Sequence, residues 1–228
     1  MRRRWLMVAL LLLAAALRFH RLGAQSFWND EGNSARLSER SLQLIVEGTA
    51  SDVHPPLYYL LLRGWRELAG ESEFGLRSLS AFAGILTVAA SAALARHWWR
   101  SSAASVAAAL LAAVSPPLIY YSQEARMYEL LALLAALSTL LLAALLPALA
   151  RSGQSNRRRV LAALYVLAVV AGLYTHYFFP AVLAVHNLMA LVLLWRHRWR
   201  PLWAWAGIMV AAFLFYLPWL PIFLRQTG

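Results

Sequence analysis

Six runs of roughly 20 mostly apolar residues, separated by short arginine-bearing gaps, leave this chain few options other than a bundle of membrane helices. A helix needs about 20 such residues to cross some 30 Å of hydrocarbon, and it satisfies its own backbone groups while doing so. The runs predict spans at about 78–95, 102–121, 129–150, 160–177, 179–195 and 202–224. A seventh apolar run, Trp5 to Leu17, follows Arg2, Arg3 and Arg4. Its short core also fits a secretory signal peptide. The absence of a convincing small-residue cleavage site favours a retained span running on to Leu22, with Arg18 and Arg21 snorkelling to the headgroups. The expected fold is therefore all-α: a polytopic membrane bundle of about seven transmembrane helices over residues 1–228 as one membrane domain. With 61% hydrophobic residues and a mean hydropathy of +0.58, the chain has too little polar surface for water.

The net charge of +11 would suggest a nucleic-acid surface in a soluble protein. Here twelve of the 21 arginines fall in alternate gaps, at Arg2 to Arg4, Arg96 and Arg100, Arg151 and Arg157 to Arg159, then Arg196, Arg198 and Arg200; the long first loop carries seven, which count for little in orientation, and the other outer segments only Arg126 and Arg225. That is the positive-inside pattern of a multi-pass protein of the plasma (inner) membrane with a cytoplasmic N-terminus, and no nucleic-acid partner is expected. On this topology all ten acidic residues fall on the extracytoplasmic side or at its membrane boundary. Surface solvation accounts for Glu39, Glu47, Glu67, Glu71 and Glu73. Cysteine is absent, so neither disulfides nor thiolate metal sites form.

The long first loop, about 18–77, reads as two short helices joined by a turn. Asn33 to Glu47 is helix-compatible, with Gly48 as a stop and a polar linker from Thr49 to Asp52. His54-Pro55-Pro56 opens a second helix, whose Leu57, Leu60, Leu61, Trp65 and Leu68 share one face, as in a helix lying in the membrane interface. Such a loop would hold Asp30 and Glu31 near headgroup level, where a lipid-linked substrate presents its polar group. Adjacent carboxylates cannot share a helix face, so one of the pair is expected to meet a reacting atom. The other orients it, binds a cation or caps the following helix.

At the outer end of the third span, two prolines break the helix at Ser115-Pro116-Pro117. Tyr120-Tyr121-Ser122-Gln123-Glu124-Ala125-Arg126-Met127-Tyr128-Glu129 follows immediately. If the next helix starts near Ser122, Glu124 and Tyr128 share a face, and Arg126 pairs with Glu129 at i, i+3. An arginine at membrane level is also a natural partner for phosphate. Thr175-His176-Tyr177-Phe178 occupies the next outer turn, where His and Tyr more often anchor a span than catalyse. His186 and Asn187, inside a span, read as structural hydrogen-bonding groups. No spacing matches a zinc site or a Gly-rich nucleotide loop, which argues against a soluble nucleotide-activated donor.

Taken in order, Phe27-Trp28-Asn29-Asp30-Glu31, His54-Pro55-Pro56-Leu57-Tyr58-Tyr59, Tyr120 to Tyr128 and Thr175-His176-Tyr177 resemble the GT-C membrane glycosyltransferases. The branch is the one that includes protein O-mannosyltransferases and the aminoarabinose transferase of lipid A. The resemblance implies a sugar transfer from a polyprenyl phosphate carrier to an extracytoplasmic acceptor, whether lipid, glycan or protein. It implies Asp30 as catalytic base, Glu31 as its companion, and Arg126 as a contact to the carrier phosphate. Glu124, His54 and His176 rank next, with Tyr58, Tyr128 and Tyr177 in the substrate-binding set. A divalent cation, Mg or Mn, held by Asp30 or Glu31 is compatible with the family chemistry. The chain resembles the seven-helix N-terminal module alone; the family's C-terminal module is missing from it, which leaves acceptor recognition unassigned, and a partner chain is one source of the missing module. An inverting transfer is the leading reading. A lipid-phosphate-binding transporter or flippase, or a non-catalytic fragment needing a partner module, is the alternative.

Overall fold

The computed structural model describes residues 2–151, 155–195 and 199–227; Arg196 and Arg198 of the predicted basic gaps lie outside them. Among the described residues there are twelve helices and no strand, so the all-α expectation holds. The first, α1 (Arg2–Phe19), leads into a loop carrying three helices rather than the expected two: α2 (Asn29–Ser38), α3 (Leu42–Ala50) and α4 (Leu57–Ala69). The predicted helix over 33–47 is interrupted because Ser41 turns its side chain back onto the Leu44 N–H and starts α3 afresh. Gly48 does not stop it; α3 runs on to Ala50, with Thr49 buried.

The bundle continues with α5 (Glu73–Trp99), α6 (Ser102–Val114), α7 (Pro116–Ser122) and α8 (Tyr128–Ala150). It closes with α9 (Asn156–Leu173), α10 (Phe179–Leu194), α11 (Trp199–Tyr216) and α12 (Leu220–Thr227). Serine caps set the starts of α5, α6 and α9, where Ser72, Ser101 and Ser155 each accept a first-turn N–H. By length and composition α5 and α8 can each cross a membrane alone, while α6–α7, bent by 58°, and α11–α12, bent by 74°, each count as one broken span. The predicted span at 202–224 is thus split at Leu217-Pro218. In the remaining three, α1 carries arginines at both ends, α9 carries them in its first turn and α10 has 16 residues; α1 packs on α5 and α6, and α9 and α10 on α8.

The core divides around the contact of α5 with α8, where Ala83 and Ala90 meet Leu133. On one side Leu10, Ala14, Val88 and Ala109 join α1, α5 and α6; on the other, residues such as Leu142, Tyr165, Leu194 and Trp205 join α8 to α11. His186 and Asn187 are structural, as read: His186 lies 3.0 Å from both Tyr165 Oη and Thr139 Oγ1, and Asn187 Oδ1 accepts from Trp205.

Arg18 does not snorkel. It is fully buried, and it repairs the break between α6 and α7. In an unbroken helix the carbonyls of Ala112 and Ala113 would accept from residues 116 and 117, but both are proline and have no N–H. Arg18 supplies the two missing donors, Nη2 to Ala112 O and Nη1 to Ala113 O, each at 3.1 Å. Gly84 makes room for it, since a Cβ there would collide with the Arg18 guanidinium and the Ser122 hydroxyl.

Every acidic residue lies at the end of the bundle that carries α2, α3 and α4, called here the loop end. The ends of α5 and α8 at Trp99 and Ala150, and the start of α9, carry Arg96, Arg100, Arg151 and Arg157 to Arg159 instead. The charge segregation read from the chain therefore survives as a polarity of the folded bundle.

Candidate active site

Four segments converge at the loop end: the first turn of α2, the linker before α4, the non-helical stretch from Gln123 to Met127, and the turn from Tyr174 to Phe178. Their backbones are tied together. The first N–H of α4, at Leu57, donates to Tyr174 O at 2.9 Å. Ser80 donates to Arg126 O at 3.2 Å and lies 3.1 Å from the fully buried Tyr58 hydroxyl. Tyr58 thus supports the Arg126 backbone from behind and does not line open space.

Asp30 and Glu31 occupy the first turn of α2, with Trp28 rather than a carboxylate at the N-cap. Their side chains diverge, as adjacent helical positions require. Glu31 is 1% exposed, and Arg77 grips both its oxygens, Nε to Oε1 at 2.8 Å and Nη2 to Oε2 at 2.7 Å. Oε1 also accepts the Ala125 N–H at 2.8 Å. The rest of the Arg77 guanidinium donates to the carbonyls of Leu22, Gln25 and Ser26, so all five N–H groups are used. Sequence reasoning missed Arg77. Its signal was a charge at the start of an apolar span, where an unpaired guanidinium would be costly.

Asp30 stays 40% exposed at its side chain, and its Oδ2 lies 3.3 Å from Arg126 Nη2. Arg126 is buried, its Nε has no hydrogen-bond partner, and its guanidinium sits 5.7 Å from the Tyr128 ring centroid. The expected Arg126–Glu129 pair does not form. Because the Gln123–Met127 segment is not helical and α8 starts only at Tyr128, Arg126 turns to Asp30. Glu129 is buried in the bundle, within reach of the Arg18 charge and with Thr87 and Ser122 beside it. Those two hydroxyls donate to the carbonyls of Ala83 and Leu118, and neither Glu129 oxygen has a partner of hydrogen-bonding geometry. Glu124 and Tyr128 likewise fail to share a helix face.

His54 and His176 face each other beside Arg126, their ring centroids 6.1 Å apart, and Tyr128 lies 5.7 Å from His176. Burial lowers both imidazole pKa values, and the Arg126 charge lowers them further, with His54 adding to the effect on His176. His54 Nδ1 is 3.6 Å from Asp52. Asp30, His54, Arg126, Tyr128 and His176 therefore form one cluster. Tyr177 is not in it, since it bonds to Gln226 and Trp219 at the α12 contact.

On the other side of the Glu31–Arg77 pair opens a cavity of about 780 Å³. It is lined by Glu124, Tyr120, Gln123 and Trp28, with Glu31 and Arg77 in its wall and His20 and Arg21 among the remaining lining residues. Burial raises the Glu124 pKa, while a hydrogen bond from Tyr120 opposes that shift. No group of three or more His, Asp or Glu side chains suited to a metal ion occurs among the described residues. The Glu31 oxygens are committed to Arg77 and Ala125, and Asp30 faces Arg126, so this donor set does not fit a divalent cation.

The fold and the cluster together define a polytopic helical membrane protein with a carboxylate, a buried arginine and two histidines gathered at its acidic end. The chain belongs to the dolichyl-phosphate-mannose-protein mannosyltransferase family, whose pattern it matches over residues 53–222, and so to the GT-C membrane glycosyltransferases. The match begins after Asp30 and Glu31. Among solved structures, the crystal structure of ArnT from Cupriavidus metallidurans in the apo state superposes with a TM-score of 0.66 at 18% identity. It covers 96% of this chain and 42% of that one, and the likeness speaks to the fold. None of the curated proteins compared matches the chain.

Proposed function

We propose that the protein transfers a sugar, with inversion, from a polyprenyl-phosphate-linked donor to an extracytoplasmic acceptor, with Asp30 as the base. The observation that carries the reading is the contact between a half-exposed carboxylate and a buried guanidinium that still has donors to give. Arg126 would take the carrier phosphate, its charge-assisted hydrogen bonds strengthening as the phosphate leaves the anomeric carbon. An incoming phosphate competes with Asp30 for Arg126, so donor binding would free the carboxylate to accept the proton of the attacking hydroxyl. Neutral His54 and His176 would hydrogen-bond the phosphate or sugar hydroxyls from the far side.

Within this reading Glu31 acts through geometry. Its grip on Arg77 and Ala125 aligns the α2 turn with the segment that carries Arg126. The family implies a lipid-linked donor, and the acidic loop end is the extracytoplasmic face in the plasma membrane by the positive-inside argument. The chain spans under half the length of the ArnT chain, so acceptor capture by a further module, in this protein or in a partner chain, is part of the proposal.

The experiment is binding of a short-chain prenyl phosphate to the protein in lipid nanodiscs. Arg126→Ala should weaken it roughly ten- to a hundred-fold, as expected for charged hydrogen bonds worth about 1.5–3 kcal/mol. Unchanged affinity would remove the phosphate from Arg126.

A further inference from the structure

We infer that the 780 Å³ cavity beside the Glu31–Arg77 pair is a saccharide-binding site, separate from the phosphate cluster and suited to the hydroxyls of a neutral pyranoside. None of Asp30, His54, Arg126, Tyr128 or His176 lines it. The buried Glu31–Arg77–Ala125 bridge stands between the two spaces.

The chemistry of the lining selects the ligand. The buried cation in the wall, Arg77, has all five N–H groups consumed, so an anion would meet only the exposed, solvent-screened Arg21 and His20. A purely apolar ligand would desolvate Glu124 and leave it the Tyr120 hydroxyl as its hydrogen-bond partner there. What the cavity offers together is a nearly buried carboxylate in Glu124, 7% exposed, and two aromatic side chains, Trp28 at 47% and Tyr120 at 59% exposure. The Trp28 indole N–H has no partner among the described residues. A pyranose ring has one face of C–H groups that packs on an aromatic side chain and a rim of hydroxyls that bond a carboxylate and an indole N–H. The aromatic and carboxylate groups gathered here match that amphipathic shape, while the Gln123 amide nitrogen is spent on the carbonyls of Leu17, Arg18 and His20.

Trp28 is also the N-cap of the helix whose first turn carries Asp30. A sugar held on Trp28 would lie next to the turn that presents the base without occupying the phosphate cluster. Under the proposed transfer, on which this use of the site rests, such a sugar is a non-reacting residue of the acceptor glycan.

The test is saturation-transfer NMR with methyl hexopyranosides on the protein in nanodiscs, alongside the prenyl phosphate binding measured on the same samples. Trp28→Ala, Tyr120→Leu and Glu124→Gln should each weaken saccharide binding about tenfold while prenyl phosphate binding persists. Arg126→Ala should do the reverse. Absence of saccharide binding by the parent, indifference to all three cavity substitutions, or displacement of the sugar by millimolar inorganic phosphate would overturn the inference. Should Trp28→Ala abolish both kinds of binding through loss of folding, Tyr120→Leu and Glu124→Gln still decide it. Failure at Arg126 alone would count against the transfer reading and leave the cavity's saccharide binding standing.

Discussion

Glu31 and Arg77, 46 residues apart, form a buried two-pronged pair with N···O distances of 2.8 and 2.7 Å, joining the first turn of α2 to the start of α5. Breaking such a pair from one side strands a charge in the interior, at a cost of about 3–5 kcal/mol. Arg77→Leu and Glu31→Gln should each lower the melting temperature strongly, and the double variant should lose much less than their sum. Thermal unfolding followed by tryptophan fluorescence checks this; additive losses would mean the two side chains are not coupled.

Arg18 makes a second prediction through the two prolines it serves. Arg18→Leu leaves two buried carbonyls without donors, at about 1–3 kcal/mol for each. Adding Pro116→Ala and Pro117→Ala returns backbone N–H groups that meet those carbonyls once the bend at Ser115 straightens, so the triple variant should regain stability. If the proline substitutions only deepen the loss, Arg18 is not acting as their substitute donor.

The prolines were plain in the chain, as were the apolar runs, the segregation of charge and the special position of Asp30 and Arg126. The pairing of those charges was not. Read along the helix, Arg126 has Glu129 within one turn. In the fold, the helix begins after Arg126, because Ala125 spends its N–H on Glu31 and Arg126 turns to Asp30. Arg77 and Arg18 escaped for a related reason: each looked like a charge flanking a span, and only tertiary contacts show which carbonyls and carboxylate they serve. Tyr177 was grouped with His176 by adjacency, yet neighbours in a tight turn point to different places.

Glu124 gives a pH-dependent outcome. Its pKa is raised by burial, so in the folded state the proton is held more tightly than in the unfolded chain. The resulting stabilisation is complete below the ordinary carboxylate range and disappears as pH rises through the raised folded value. Glu124→Gln, which keeps the shape without the charge, should therefore melt at a higher temperature than the parent at neutral pH. The advantage should vanish by about pH 4, near the ordinary carboxylate value. A constant difference across that window would contradict the burial argument.

Competition between Asp30 and phosphate for Arg126 predicts that Asp30→Asn binds prenyl phosphate more tightly than the parent, although it is expected to be a poorer catalyst. Equal or weaker binding by the variant would mean that the Asp30–Arg126 contact is not what the phosphate displaces.

The most direct measurement of the central claim is transfer of labelled sugar from a polyprenyl phosphate donor by the parent and the Asp30→Asn variant. Both should be assayed in membranes, at matched insertion, together with any subunit that co-purifies. A positioned general base contributes about 10²- to 10⁴-fold, so the variant should lose transfer by that order while still binding donor. Undiminished transfer by a normally inserted Asp30→Asn protein would contradict the assignment of Asp30 as the base.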